Sequence, residues 1–315
     1  MRILVVGAGA TGGYFGGRLL EAGQDVTFLV RPKRATELFR SGLTVRSRAG
    51  DMVFTNPPTI LAEDVHKTFD LVLLSCKAYD LEGAVASFAP AVGPDTHILP
   101  LLNGMRHLDY LDERFGRDRV LGGRCLIAAS LNEEREIVHL NDKHELSFGE
   151  RDGTLSTRIT QLADAMNNAR IVVHVSREII LDMWSKWVFL ASLASGTCLM
   201  RANIGDLLSA PHGVDLLLGL VDECSFIAAT EGFPVRASSL EQTRKMLTDT
   251  GSSLTSSMLR DMEGNRPIEA DHIIGDLLLR INQTSLLPNR FPLLRLTYTH
   301  LKAYEMRRTH TLSAA

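Results

Sequence analysis

The sequence predicts a chain in two parts, a doubly wound α/β sheet over residues 1–177 followed by an all-helical half over residues 178–315. Short apolar runs that suit buried parallel strands alternate with helical spacing as far as Val175. The first of these runs ends in a glycine turn that opens a helix. From Glu178 onward long helical periodicity dominates. A length of 315 residues, 45% hydrophobic and 23% charged, fits about two soluble globular domains.

The opening stretch sets the class of the first half. Ile3 to Val6 are consecutive apolar residues, as expected of a strand buried on both faces. Gly7, Gly9 and Gly12 then fall on G-x-G-x-x-G, helical spacing runs to Gly23, and Val26 to Val30 form a second apolar strand. This complete strand–turn–helix–strand unit is the context a Rossmann-type dinucleotide site requires. Gly7 would make the tight turn, Gly9 admit a pyrophosphate to the backbone, and Gly12 let helix and strand pack closely. Gly7, Ala8, Gly9, Ala10, Thr11 and Gly12 are therefore the expected cofactor loop, with phosphate at the helix N-terminus. The alternative is a glycine-rich packing turn with no ligand. NAD-preferring folds usually carry Asp or Glu after the second strand, whereas this chain reads Arg31-Pro32-Lys33-Arg34. Guanidinium groups suit a 2′-phosphate, which points to NADP(H) with Arg31 as its leading contact; a solvated basic loop is the alternative.

Further along, Arg34 to Ser41 predicts a short helix and Leu43 to Thr55 surface β structure. Phe69 to Ser75 and Thr96 to Leu102 predict buried strands, separated by a helix over Leu81 to Ala89. A helix over Leu108 to Phe115 leads to a strand over Val120 to Ala129 and two short antiparallel strands, Ile137 to His139 and Glu145 to Phe148. Thr154 to Asn167 is helical and Arg170 to Val175 the last strand. The helices of the second half are expected at Ile179 to Cys198, Val214 to Thr230, Leu240 to Leu247, Ser257 to Glu263, Ile268 to Thr284 and Leu293 to Arg307. Pro211, Pro234, Pro267 and Pro288 fit their boundaries.

A net charge of −3 makes no electrostatic case for nucleic acid or an anionic membrane as partner. Cys76, Cys125, Cys198 and Cys224 lack metal-type spacing, so no metal site is expected; they read as reduced thiols of a cytoplasmic protein. With the glycine turn already at Gly7, no signal peptide is expected. Trp187 to Met200 is apolar but shorter than the roughly 20 residues needed to span a bilayer. It reads as a core helix.

Ligands of an open α/β sheet bind beyond the carboxyl ends of its strands. Lys77 and Asn103 occupy such ends and, with the glycine loop, would line one crevice; each is otherwise an ordinary loop residue. Lys186 has Met183, Phe189, Leu190 and Leu193 on its helix face, with Asp182 the one polar neighbour. It must pair, snorkel, or face a cleft with a pKa lowered enough to trade protons. Thr255-Ser256-Ser257 opens a short helix and Glu269 follows Pro267-Ile268. Capping and dipole complementation would account for both, and a ligand role is the alternative.

Together these pieces resemble the ketopantoate reductase (2-dehydropantoate 2-reductase) family nearly end to end. The resemblance rests on GAGATG at the start, the basic residue after the second strand, CKAYD around Lys77, LLNGM around Asn103, WSKW around Lys186, and SSML with the later Glu269. It implies NADPH-dependent reduction of a 2-oxo acid to a 2-hydroxy acid. Lys186 would be the proton donor and Asn103 would touch both nicotinamide ribose and substrate. Lys77 would assist at the cofactor, Ser257 would bind the substrate carboxylate, and Glu269 would help hold the cofactor. The helical half is compatible with a homodimer.

One departure stands out. The family lysine is typically followed by asparagines at the fourth and eighth positions, where this chain has Leu190 and Ala194. A further family asparagine is replaced by Ile204, with Asn203 adjacent. The expectation is a reductase of this family acting on 2-dehydropantoate or on a more apolar 2-oxo acid. The alternative is a dinucleotide-binding protein whose catalytic site has decayed.

Overall fold

The computed structural model describes residues 1–282 and 290–313; the expected helix end at Thr284 and the boundary at Pro288 lie outside the described residues. The chain divides into two compact units, residues 1–102 with 107–179, and residues 103–106 with the chain from 180 onward.

In the first unit, β1 (Arg2–Val6) leads through the glycine turn into α1 (Ala10–Glu21), β2 (Asp25–Leu29) and α2 (Pro32–Ser41). A hairpin of β3 (Leu43–Arg46) and β4 (Met52–Phe54) precedes β5 (Thr59–Ile60), β6 (Leu71–Leu74), α3 (Leu81–Phe88), β7 (His97–Pro100) and α4 (Arg106–Phe115). Next come β8 (Gly122–Leu131), β9 (Ile137–Gly149), α5 (Thr157–Met166) and β10 (Val172–Val175). The order β5-β2-β1-β6-β7, all parallel, is the expected Rossmann-type sheet. Its central strands are buried on both faces, so Ile3 to Val6 and Leu71 to Leu74 read as unbroken apolar runs.

The later strands form a second sheet instead of extending the first. It runs β10-β9-β3-β4, with β8 antiparallel to β9. The two short strands expected at 137–139 and 145–148 are segments of one strand, β9, whose residues 137–139 and 144–149 pair with β8 on either side of an irregularity between Ile127 and Ala129. Leu43 and Val45, expected at the surface, are buried in the core with Ile137, Leu146 and Phe148. A charged side chain, that of Arg18, is buried alongside them. Arg18 on α1 pairs with Glu21 at 3.0 Å, donates to the Gly50 carbonyl at 2.6 Å, and lies over the Tyr14 ring.

The second unit is helical. It contains α6 (Ile179–Met200), α7 (Ile204–Ser209), α8 (Gly213–Thr230), α9 (Ala237–Leu247), α10 (Ser257–Glu263), α11 (Asp276–Asn282) and α12 (Pro292–Ser313). The short α7 has no periodic signature; it forms because Asn203 caps it and Ile204 and Leu207 pack with Leu193, Leu217 and Val221. The helix expected from Ile268 instead begins at Ala270 and passes through a π-helical turn, Asp271–Gly275, before α11. Trp184, Trp187 and Val188 of α6 are buried, as a core helix requires, and no helix among the described residues is long and apolar enough to cross a membrane.

Burial pushes the His97 and His144 imidazoles below the ordinary histidine range, with Arg158 adding to the effect at His97 and His139 at His144. Their unfolded counterparts bind protons first as pH falls, so this part of the stability is present above about pH 6.5 and lost below it. The urea midpoint should therefore drop between about pH 7.5 and about pH 5.5, and drop less in a variant carrying His97→Gln and His144→Gln. Equal pH dependence in both proteins would refute the assignment.

Candidate active site

The glycine turn sits at the carboxyl end of β1, between the carboxyl ends of β2 and β6, where the strand order reverses. Gly7 has φ +94°, a conformation that favours glycine. Gly12 has no clearance, since a side-chain carbon there would lie 2.1 Å from the Gly7 carbonyl oxygen and 2.1 Å from Ser75 Oγ. Ser75 Oγ in turn donates to the carbonyls of Val6 at 3.2 Å and Gly7 at 3.3 Å. The sequence reading did not single out this serine, although its place at the end of an apolar strand was a signal. Gly9 differs from Gly12, for nothing lies within 4 Å of a side-chain carbon built there. It caps α1 without a side-chain hydrogen bond, and the first turn of α1, where Ala10 and Thr11 are half-buried, contains no acid. A 12-residue helix that opens on a glycine turn with clearance at Gly9 and no acid in its first turn fits a dinucleotide pyrophosphate.

The basic segment after β2 divides into two roles. Arg31 is exposed and donates to Asp80 at 2.7 Å; that hydrogen bond holds its guanidinium above the usual pKa. No acid stands in the Arg31–Arg34 segment itself, and the fold supplies one from the CKAYD loop. Lys77 precedes a short turn of 3-10 helix at Ala78–Asp80, in the same loop beyond β6. Arg34 is not part of a solvated loop. It is largely buried, donates from Nε to the Ala8 carbonyl at 3.0 Å and pairs with Glu37 at 3.0 Å, so it braces the glycine turn.

The remaining candidates lie in the helical unit. Lys186 is half-buried on α6, flanked by Ser185 and Trp187, both buried. Asp182, one turn earlier, is held by Arg236 at 2.9 Å. Asn103 is half-buried, and its backbone hydrogen-bonds His272. Glu269, 9% exposed, stands three residues before that histidine and acts on it electrostatically. Asn103 and Glu269 are thus gathered around His272, a residue the sequence reading passed over. Ser257 is exposed at the start of α10, while its buried neighbour Ser256 caps the helix, with Ser256 Oγ accepting from Leu259 N at 3.0 Å and from Thr197 Oγ1 at 2.9 Å. This places Ser257 beside the turn of α6 that carries Thr197, roughly 16 Å along the helix from Lys186.

Where family asparagines are expected, Leu190 is half-buried and Ala194 buried. Ile204 is wholly in the core, and Asn203 is occupied as the cap of α7, accepting from Asp206 N at 2.9 Å and donating to its carboxylate at 2.7 Å. These positions therefore offer no amide to a substrate.

The contrast between the two loop glycines is testable. Gly9→Ala should leave Tm within about 1 °C of the parent while weakening dinucleotide binding about tenfold or more, read by fluorescence titration. Gly12→Ala should lower both. Unchanged affinity in Gly9→Ala would remove the pyrophosphate from this turn.

Two family models match the chain: "Ketopantoate reductase PanE/ApbA" over residues 3–153 and "Ketopantoate reductase PanE/ApbA C terminal" over residues 178–305. An uncharacterized oxidoreductase of Bacillus subtilis (strain 168), YkpB, is 36% identical over 305 residues, which is 97% of this chain and 99% of that protein. A crystal structure of 2-dehydropantoate 2-reductase from Geobacter metallireducens GS-15 superposes with a TM-score of 0.87 at 25% identity, over 96% of this chain and 99% of that one. The ternary structure of D-mandelate dehydrogenase with NADH and anilino(oxo)acetate shares the fold, with a TM-score of 0.87 at 20% identity over 98% of this chain and all of that one. With models covering both units and a full-length relative above 30% identity, this chain belongs to the ketopantoate reductase family of oxidoreductases.

Proposed function

We propose that the protein reduces a 2-oxo acid to a 2-hydroxy acid with NADPH, the reaction type that converts 2-dehydropantoate to pantoate. The observation that carries this reading is Lys186, a half-buried lysine on an apolar helix between the buried Ser185 and Trp187. Bound NADPH supplies the hydride. Gly7, Ala8, Gly9, Ala10, Thr11 and Gly12 would hold its pyrophosphate, and Arg31 its 2′-phosphate, in competition with Asp80. Lys77 and Glu269 would orient its sugar and ring. Asn103 would position substrate and nicotinamide ribose together. As charge develops on the substrate oxygen, Lys186 stabilises it and then transfers a proton to it. Ser257 would donate to the substrate carboxylate. The four cysteines form no disulfide, which suits the reducing cytoplasm, and a homodimer is the assembly we expect.

A specific observation favours a substrate with fewer hydroxyl groups than 2-dehydropantoate. Leu190 and Ala194 line α6 where amides would grip a hydroxyl, and Asn203 is committed to a helix cap. A site without those hydrogen bonds loses most of its discrimination for the hydroxylated acid.

Steady-state oxidation of NADPH and NADH against a panel of 2-oxo acids separates the readings. Faster turnover of an apolar 2-oxo acid than of 2-dehydropantoate, with NADPH preferred, is the expected result. A kcat/KM for 2-dehydropantoate of about 10⁴ M⁻¹s⁻¹ or above, exceeding the rest, would assign it as the substrate. NADPH binding with no turnover of any acid would leave a decayed site. Lys186→Ala should lower kcat by about 10² or more while changing NADPH affinity by less than about threefold; an unaltered kcat would exclude Lys186 from the chemistry.

A further inference from the structure

The chain between Glu269 and α11 departs from ordinary helix. Asp271–Gly275 make a π-helical turn, a widened geometry that is rare and concentrates at functional sites. Two segments of the helical unit are fastened to it. Trp187, next to Lys186 on α6, donates from Nε1 to the Ile273 carbonyl at 2.9 Å, and both side chains are buried. His272, 7% exposed, hydrogen-bonds the Asn103 backbone and packs under Gly104. A side-chain carbon built at Gly104 would lie 2.9 Å from His272 Cδ2, 2.9 Å from its carbonyl oxygen and 3.3 Å from Nε2. Gly104 has φ +74°, so the Asn103–Gly104 turn is left-handed and has no clearance on the side of the imidazole.

We propose that His272 is a positioning residue: from the π-helical turn it clamps the Asn103–Gly104 turn and so fixes the direction in which Asn103 presents its side chain to cofactor and substrate. The functional half of this inference rests on the role given to Asn103 above. A single ring contributes both the hydrogen bond to the Asn103 backbone and the surface under Gly104, which an aliphatic side chain would not do. Burial keeps the imidazole below the ordinary histidine range, assisted by Arg106 and Arg280 and opposed by Glu269 and the Asn103 backbone, so at neutral pH the clamp is an uncharged ring. Because Trp187 grips the same turn one residue further on, the elements that carry Lys186, Asn103 and Glu269 share one rigid reference.

The test uses His272→Ala and His272→Gln, each in the parent and in an Asn103→Ala background, with NADPH titration, steady-state turnover and amide hydrogen exchange. His272→Ala should speed exchange at the Gly104 and Met105 amides and weaken NADPH binding or kcat about tenfold in the parent, but less than about twofold once Asn103 is alanine. Gln, whose amide N–H reaches about as far as Nε2, should restore most of the loss. Unchanged exchange at Gly104 and Met105 would overturn the clamp, and equal losses in both backgrounds would reduce His272 to a stability residue. If Asn103→Ala alone alters neither binding nor turnover, the role given to Asn103 fails separately. Exchange then decides the clamp by itself, faster exchange in His272→Ala supporting it and unchanged exchange refuting it.

Discussion

The absence of any space at Gly12 is the constraint on which the first unit depends. Helix α1 approaches the glycine turn so closely that even one carbon would overlap the Gly7 carbonyl and Ser75 Oγ. That approach sets the start of the helix at the carboxyl end of β1, with clearance for a side-chain carbon at Gly9. Tyr14, Phe15 and Leu19 of the same helix are buried in the core, so its position is held by apolar packing as well as by the turn. Arg34 adds a polar brace, its Nε hydrogen bond to the Ala8 carbonyl linking α2 to the loop.

The helical unit reaches comparable rigidity through one irregular turn. A regular helix after Glu269 would present different carbonyls and a different face at 272; the π-helical turn brings Ile273 O to Trp187 and His272 to Asn103. Cys198 and Cys224 lie in the same unit, and burial pushes their thiols up to about 11 and about 12, so they act as small apolar side chains and not as nucleophiles.

The chain shares the fold of its family and departs from the family resemblance at particular positions. The turns that would hold a dinucleotide keep their glycines and cations, whereas Leu190, Ala194 and Ile204 stand where the family pattern has amides. Ile204 belongs to a packed cluster with Leu193, Leu207 and Leu217, so that position now stabilises the helical core.

Much of this was legible in the residues alone, because it depends on local patterns. An apolar run ending in glycine identified β1, a second apolar run identified β6, period 3.6 identified α6 and α8, and the order of short motifs identified the family before any coordinates. What depends on partners distant in sequence was not legible. The single long β9 needed β8 as its template, and α7 needed the core beneath it. Arg31 meets Asp80 across 49 residues, and His272 meets Asn103 from a turn whose π geometry no periodicity announces. Backbone propensity and the spacing of apolar side chains are written along the chain; which buried donor finds which carbonyl is decided only when packing closes the distance between them.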